Sequence, residues 1–145
     1  MIALTPTPIG PGPAYSPPSP RPALVCAQKP VARVHVELFA NGYAIVIPSG
    51  IGSCGDALRT RTPTGVVELT RTRLALGDLF RIWRQPLGVH RLLSFSSTTP
   101  VRAYVNGRRA ADPLRVALTP GAEIVLELGA YVPPHTSFLF PRSLR

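Results

Sequence analysis

Residues 34–48 read VHVELFANGYAIVIP and contain two apolar runs joined by Asn41-Gly42. Before the turn, valine and leucine alternate with polar or aromatic residues, which is the pattern of a half-buried strand. An Asn-Gly pair between two such runs is a strong hairpin signal, because both residues tolerate the positive φ of a type I′ turn. The stretch therefore predicts the β-hairpin around which the rest of the domain is built.

Further segments predict strands that extend this hairpin into a sheet. A second Asn-Gly pair, Asn106-Gly107, joins two short runs and predicts another hairpin. Residues 65–70 are β-branched and alternating, and residues 124–128 are almost wholly apolar, so each predicts a single strand. Residues 114–118 are predicted to be a short extended piece.

One segment between the hairpins changes to a helical period. Residues 74–87 read LALGDLFRIWRQPL, and their apolar side chains recur at the spacing of one helical face. We expect Phe80 and Trp83 to cover the sheet from this helix. Pro86 ends it, because proline lacks an amide donor and clashes with the preceding turn.

The order of elements is hairpin, strand, helix, hairpin, strand. We therefore predict a single α+β domain over residues 31–130, with a small mixed β-sheet of about five strands and one short covering helix. A helix packed on one face of such a sheet is the simplest way to close the core, and the arrangement is β-grasp-like. A chain of 145 residues is also the length of one domain.

The two ends of the chain differ in composition from this domain. Nine of the 18 prolines fall within residues 1–30, and proline fixes φ, so we predict a disordered or extended arm there. Residues 131–145 form a Pro/Phe-rich tail, which either fills a surface groove with Phe138 and Phe140 or stays loose. These two phenylalanines are the candidate residues for binding a protein partner.

Cys26 and Cys54 lie on either side of the first hairpin and are the two cysteines of the chain. A disulfide between them would tie the end of the arm to the following loop and would stabilise the fold by about 3 kcal/mol. The alternative is two free thiols, which is the expected state in a reducing compartment.

The net charge of +9 comes from 16 basic residues against seven acids. Such a balance favours anionic partners, and two Arg-Thr-Arg motifs flank the third predicted strand. Arg59, Arg61, Arg71 and Arg73 are therefore candidate anion-binding residues, since guanidinium groups bind phosphate or carboxylate through paired hydrogen bonds. A solvated basic face is the alternative. Nucleic acid is possible but not favoured, because no aromatic residues are interleaved with these arginines.

The sequence offers little for catalysis. It contains no Gly-x-Ser-x-Gly motif and no acid placed beside a base by local spacing. The glycine-rich residues 49–53 lack the lysine of a phosphate-binding loop. The nearest approach to a metal site is His35 and Glu37, which share one face of the first strand. We therefore expect a protein that is not an enzyme and that needs no cofactor.

Several motifs together resemble an uncharacterised bacterial domain family that often follows a secretion signal or a membrane anchor. The motifs are the Asn-Gly turn and IPSGIG of residues 34–52, Cys54, TGVV at 64–67, LGDLFRIW at 76–83 with QPL at 85–87, YVNG at 104–107 leading to 124–129, and the Pro/Phe-rich residues 133–144. The resemblance implies the same framework and an extracytoplasmic location.

The family that this chain resembles is rich in histidine, in a pattern that looks like a transition-metal site. It has His-x-His in the first strand, His-Thr-His-Asp before the third strand and another histidine within it. The matching positions here read Arg33-Val34-His35, RTRT at 59–62 and Glu68. Guanidinium groups are not metal donors in ordinary proteins, so the resemblance leaves His35, Glu37 and Glu68 as the candidate metal set.

We therefore predict a non-catalytic binding or protein-interaction module, with an extracytoplasmic location favoured. The alternatives are a basic anion- or nucleic-acid-binding protein that uses the arginines and a degenerate metal-binding domain. No signal-peptide core is visible at the N-terminus. No run of 18 apolar residues is present either, so we expect no transmembrane segment.

Overall fold

The computed structural model describes residues 26–141, so most of the predicted N-terminal arm and the last four residues of the tail lie outside it. The described chain is α+β, with one short α-helix and mostly strands. In order, the elements are β1 (Ala32–Ala40), β2 (Tyr43–Ile45), β3 (Leu58–Arg59), β4 (Val66–Leu69), α1 (Leu76–Trp83), β5 (Arg91–Leu92), β6 (Phe95–Ser96), β7 (Arg102–Val105), β8 (Arg108–Ala110) and β9 (Glu123–Leu128).

The main sheet of the described chain has seven strands in the order β3-β4-β1-β9-β7-β8, with β2 paired to the end of β1. It is mixed, as predicted, because β1 and β9 run parallel while the other pairs are antiparallel. The sheet exceeds the five predicted strands, and β5 and β6 form a second, two-stranded sheet. Strands β3, β5 and β6 have two residues each, too few to show a period in sequence. The β-grasp-like arrangement stays a prediction.

Both predicted Asn-Gly turns are present. Asn41 and Gly42 have φ of 50° and 85°, and Asn106 and Gly107 have φ of 52° and 85°. These left-handed conformations are the ones that a type I′ turn requires at its two central residues. The turns close β1 onto β2 and β7 onto β8.

Helix α1 is confirmed as a short helix of eight residues, about two turns, within the predicted segment 74–87. Its start is fixed by Asp78, whose Oδ2 accepts a hydrogen bond from the amide of Ala75 at 2.8 Å. Its end is set by Arg84, which adopts a left-handed φ of 61° before Pro86 is reached. Phe80 is buried, and Trp83 is half-buried against it at the edge of the core.

The prediction of an extended piece at residues 114–118 is wrong in its first half. Pro113–Arg115 form a 3-10 turn instead. The side chain of Asp112 accepts a hydrogen bond from the amide of Leu114 at 3.1 Å, and Pro113 fixes its own φ, so the chain turns locally. Ala117 then makes a single bridge to Ala75.

The two faces of the sheet differ in chemistry. One face carries the aliphatic side chains of β1, β4 and β9 and packs against α1 to form the hydrophobic core. The opposite face carries charged or polar side chains that are nevertheless buried: His35, Arg59, Glu68, Glu123 and Glu127. We call this the polar face. On β1 and β9 these residues alternate with core residues, because successive side chains of a strand point to opposite faces of the sheet.

Residues 131–141, which we call the C-terminal segment, lie against the polar face. The amide of Val132 donates to Oε1 of Glu127 at 3.0 Å. Further along, the rings of Phe138 and His35 stack with centroids 3.6 Å apart and planes within 6°. Of the two alternatives for the tail, the described part therefore fills a groove.

The predicted disulfide is confirmed, because Cys26 and Cys54 are bonded. It fixes the first described residue to the loop between β2 and β3. Among the described residues, no helix is long and apolar enough to cross a membrane.

Candidate functional site

The environment of His35 fixes the orientation of its ring. Nε2 lies 2.8 Å from the backbone oxygen of Thr64, and a carbonyl oxygen can only accept, so Nε2 carries the hydrogen. The other ring nitrogen, Nδ1, lies 2.5 Å from Oε1 of Glu123. In the neutral imidazole Nδ1 is therefore the atom with the free lone pair, and it is directed at a carboxyl group.

A glycine allows the Thr64 carbonyl to come this close. Gly65 has φ of 83°, and a Cβ at this position would lie 2.4 Å from the backbone oxygen of Val36 and 3.1 Å from Nε2 of His35. No side chain fits that space, because real Cβ atoms do not approach backbone oxygen to this distance. The glycine thus lets the loop before β4 pack against β1, where the Thr64 carbonyl accepts the hydrogen bond from His35.

Two carboxyl groups meet beside His35. Glu37 is two residues further along β1 on the same face, and Glu123 is the direct partner of His35 in the parallel pairing of β1 with β9. Ligand atoms of the three residues all lie within 4.8 Å of one another. Glu123 is only 1% exposed, and its Oε2 has no hydrogen-bond partner among the described residues.

The C-terminal segment adds a second imidazole. Nδ1 of His135 lies 2.7 Å from Oε2 of Glu37 and 3.9 Å from Oε2 of Glu123. His135 is largely exposed, so it closes the cluster from the solvent side. We call these four residues, His35, Glu37, Glu123 and His135, the His/Glu site.

The acid–base properties of the His/Glu site follow from its burial and its crowding. Burial, together with the nearby Glu37 carboxylate, raises the pKa of Glu123 to about 7 even though His35 opposes this shift. Burial also acts to raise the pKa of Glu37, but the interactions with Glu123 and His135 outweigh it and lower that pKa. The hydrogen bond to Glu37 and its negative charge raise the pKa of His135.

Glu68, predicted as the third metal ligand, does not join this site. Its carboxylate instead accepts from Nε of Arg59 at 3.0 Å and from Nη2 of Arg61 at 2.6 Å. Nε of Arg33 lies 3.6 Å from the same carboxylate. The structure therefore corrects the candidate metal set, with Glu123 in the place of Glu68 and His135 as a fourth member.

The four arginines predicted to bind anions are not brought together as one group. Arg59 is the last residue of β3 and Arg61 lies two residues further along, and both contact Glu68 on the polar face. Arg71 and Arg73 lie in the loop between β4 and α1 and are exposed to solvent. Arg33, which faces Glu68 across the β1–β4 pairing, is the arginine that sequence reasoning left out.

The two candidate partner-binding phenylalanines pack against the domain itself. One face of Phe138 is covered by His35, and Phe140 contacts Phe138 edge-on with centroids 4.9 Å apart. Leu139 between them is 82% exposed. Binding of a protein partner at this segment stays a prediction.

The sequence alone does not identify Glu123 and His135 as site residues, because they meet His35 and Glu37 only in the folded chain. Glu123 precedes the apolar run of β9 and alternates with the core residues of that strand. This alternation places Glu123 on the polar face but does not identify His35 as its neighbour. The pairing partner is 88 residues away, and His135 lies in a proline-rich segment without a period.

No family model, curated protein or solved structure matches this chain.

Proposed function

We propose that this domain is a non-catalytic binding protein whose ligand is a divalent transition-metal cation, held by His35, Glu37, Glu123 and His135. The observation that carries the proposal is the approach of Nδ1 of His35 to the buried carboxyl group of Glu123 at 2.5 Å. Each of these atoms brings a lone pair, so a positive centre must lie between them. A proton fills that role in the metal-free protein. A metal cation can replace it once the two atoms move apart to roughly 3.3 Å, the separation that two bonds of about 2.0–2.1 Å to one tetrahedral ion require.

The surroundings of His35 support this proposal. Histidines that bind metals almost always donate their other ring N–H to a carbonyl or carboxylate, which fixes the ring and raises its basicity. The Nε2–H of His35 makes that hydrogen bond to Thr64. The ring is therefore held with its donor atom facing the two carboxyl groups before any metal arrives.

The carboxyl groups support it as well. Two carboxylates beside each other repel, and Glu123 is also buried, so burial and the nearby Glu37 raise the pKa of Glu123 to about 7. An ionised carboxylate is costly to bury unless a positive group pairs with it. A dication would pair with both groups at once and would remove the need for a shared proton.

The donor set favours a particular class of metal. Two imidazole nitrogens and two carboxylate oxygens are typical of zinc and its neighbours in the transition series. Calcium and magnesium prefer oxygen ligands throughout. Four protein donors also complete a tetrahedral shell, the arrangement of zinc sites that bind rather than catalyse.

The disulfide supports an extracytoplasmic setting for this function, because disulfides persist mainly in oxidising compartments. The domain has a hydrophobic core as well as this disulfide, so it does not need the metal in order to fold. The cation would then be a ligand that is taken up and released.

Zinc titration of the chelator-stripped full chain against a chromogenic competitor tests the proposal. We expect one equivalent to bind, and we expect binding to fall about tenfold or more in Glu123→Gln and in His135→Gln, since lost ligands or their partners have effects of this size. His90 is exposed and outside the site, so His90→Gln is the matched control and should bind as the parent does. Absence of saturable binding, or equal binding by all variants, would reject the proposal. His135 is exposed, so His135→Gln will fold even if a core variant does not.

A further inference from the structure

A second site of opposite charge lies on the same face of the sheet. Arg33, Arg59 and Arg61 surround the single carboxylate of Glu68, at distances of 3.6, 3.0 and 2.6 Å. We call these four residues the arginine cluster. Guanidinium groups stay protonated in proteins, so three positive charges meet one negative charge and the cluster has an excess of two.

Two of the three guanidinium groups are held largely away from water, whereas Arg61 lies at the edge of the cluster and is 34% exposed. The side chain of Arg59 is only 3% exposed, and that of Arg33 is mostly buried. Nη1 of Arg59 and Nε of Arg33 are buried without a hydrogen-bond partner among the described residues. Buried charges and buried unsatisfied donors are both costly unless a partner neutralises them.

A groove opens beside the cluster. It is open to solvent, has a volume of about 340 Å³ and is lined by Arg33, Gly121 and the end of the C-terminal segment, Phe138, Leu139 and Phe140. Arg33 belongs to both the cluster and the groove. A ligand in the groove would therefore have a guanidinium at one end and apolar side chains along its length.

We propose that the groove binds a small organic phosphate, with its phosphate group on Arg33 at the edge of the arginine cluster and its apolar body against Phe138 and Leu139. A phosphate monoester carries a charge close to −2 at neutral pH, which matches the excess of the arginine cluster. Paired guanidinium donors bind phosphate oxygens strongly and with defined geometry. A volume of this size holds a body about as large as one aromatic ring.

The anion site is separate from the His/Glu site. Phe138 lies between them, since it stacks on His35 and also lines the groove. The anion proposal uses no residue that was assigned to the metal, so either proposal can fail while the other holds.

Isothermal titration of the full chain with phenyl phosphate tests the anion site, at constant ionic strength and with a chelator present to remove metals. We expect saturable one-to-one binding that is tighter than binding of inorganic phosphate, because the ring contributes apolar contact. Arg33→Gln should weaken binding about tenfold or more, the usual effect of losing a charged hydrogen bond. Arg61→Gln should weaken it by a smaller factor, because this change removes part of the positive excess beside the groove without removing a lining residue. Arg115→Gln is the matched control, since Arg115 is 88% exposed and remote in the 3-10 turn.

Three results would overturn the proposal. They are the absence of saturable binding, binding of benzoate as tight as that of phenyl phosphate, and equal binding by Arg115→Gln and the two cluster variants. Circular dichroism of each variant shows whether it folds. Arg61 is partly exposed at the edge of the cluster, so Arg61→Gln keeps the test decisive if Arg33→Gln does not fold.

Discussion

Nδ1 of His35 lies 2.5 Å from Oε1 of Glu123, although the two residues are 88 positions apart in the chain. The parallel pairing of β1 with β9 places them directly opposite each other at the centre of the sheet. The hydrogen bond from Nε2 to Thr64 then leaves Nδ1 to face the carboxyl group. The proposal of a metal site depends on this relationship.

Substitution of Gly65 by alanine should destabilise the domain and displace His35. The new Cβ would lie 2.4 Å from the backbone oxygen of Val36, so the loop must move, and we expect a loss of about 3 kcal/mol in the free energy of unfolding. Gly50→Ala is the matched control, because Gly50 has a similar φ of 85° with nothing within 4 Å. The Gly50→Ala variant should lose only about 1 kcal/mol, the cost of a left-handed φ for a residue that has a side chain. Urea denaturation measures both, and equal losses would contradict the role given to Gly65.

Substitution of Glu68 by glutamine should be strongly destabilising. Three guanidinium groups would lose the carboxylate that pairs with them, and removing one partner of a buried ion cluster costs about 3–5 kcal/mol. Asp112→Asn is the control, because Asp112 pairs with Arg115 at the exposed surface and should change stability by about 0.5 kcal/mol or less. Chemical denaturation of the two variants at pH 7 checks the prediction, and a loss below about 1 kcal/mol for Glu68→Gln would contradict it.

The stabilisation from Glu68 should also depend on pH. Burial alone would raise its pKa, but the hydrogen bonds and charges of Arg61 and Arg59 outweigh burial and lower it. A lowered folded-state pKa means that the stabilisation is complete above the unfolded pKa, about 4.3, and is lost as pH falls through the folded value.

The measurement is the difference in unfolding free energy between the parent and Glu68→Gln at several pH values. We expect this difference to be constant from pH 7 to about pH 5 and to shrink at lower pH. The comparison isolates Glu68, because other titrating groups contribute to both proteins. A difference that is unchanged at the lowest pH where both proteins fold would show that the arginines do not stabilise the ionised carboxylate.

Loss of the disulfide should lower stability without removing the fold. Cys26 and Cys54 are separated by 28 residues, and closing a loop of this length in the unfolded chain stabilises a protein by about 3 kcal/mol. The Cys26→Ser/Cys54→Ser double variant should show this loss and be insensitive to reductant, whereas the parent should lose a similar amount on reduction. A parent whose thermal midpoint is the same with and without reductant would contradict the prediction.

The sequence predicts those features that depend on neighbouring residues. Asn41 and Asn106 indicate their hairpin turns because a type I′ turn requires residues that tolerate a positive φ. Helix α1 is visible in the sequence because its apolar residues repeat at the helical period. The His/Glu site is different, because it needs the pairing of β1 with β9 and the return of His135 over the polar face. The alternation of Glu123 with core residues indicates its face, but only the sheet order identifies His35 as its neighbour.

Only part of the arginine cluster is visible in the sequence, for the same reason. The spacing of Arg59 and Arg61 is a local pattern. Arg33 joins them only through the antiparallel register of β1 with β4, where it faces Glu68. Arg71 and Arg73 repeat the motif but lie beyond the end of β4, so the sheet does not hold them near the others.

The most direct test of the metal site is ¹⁵N NMR of the histidine rings, recorded at pH 8 before and after one equivalent of zinc. We expect His35 to be protonated at Nε2 without zinc. We expect zinc to shift the Nδ1 signal of His35 and the ring signals of His135 while those of His90 stay in place. A His35 ring protonated at Nδ1 alone, or His35 signals unchanged by zinc, would contradict it.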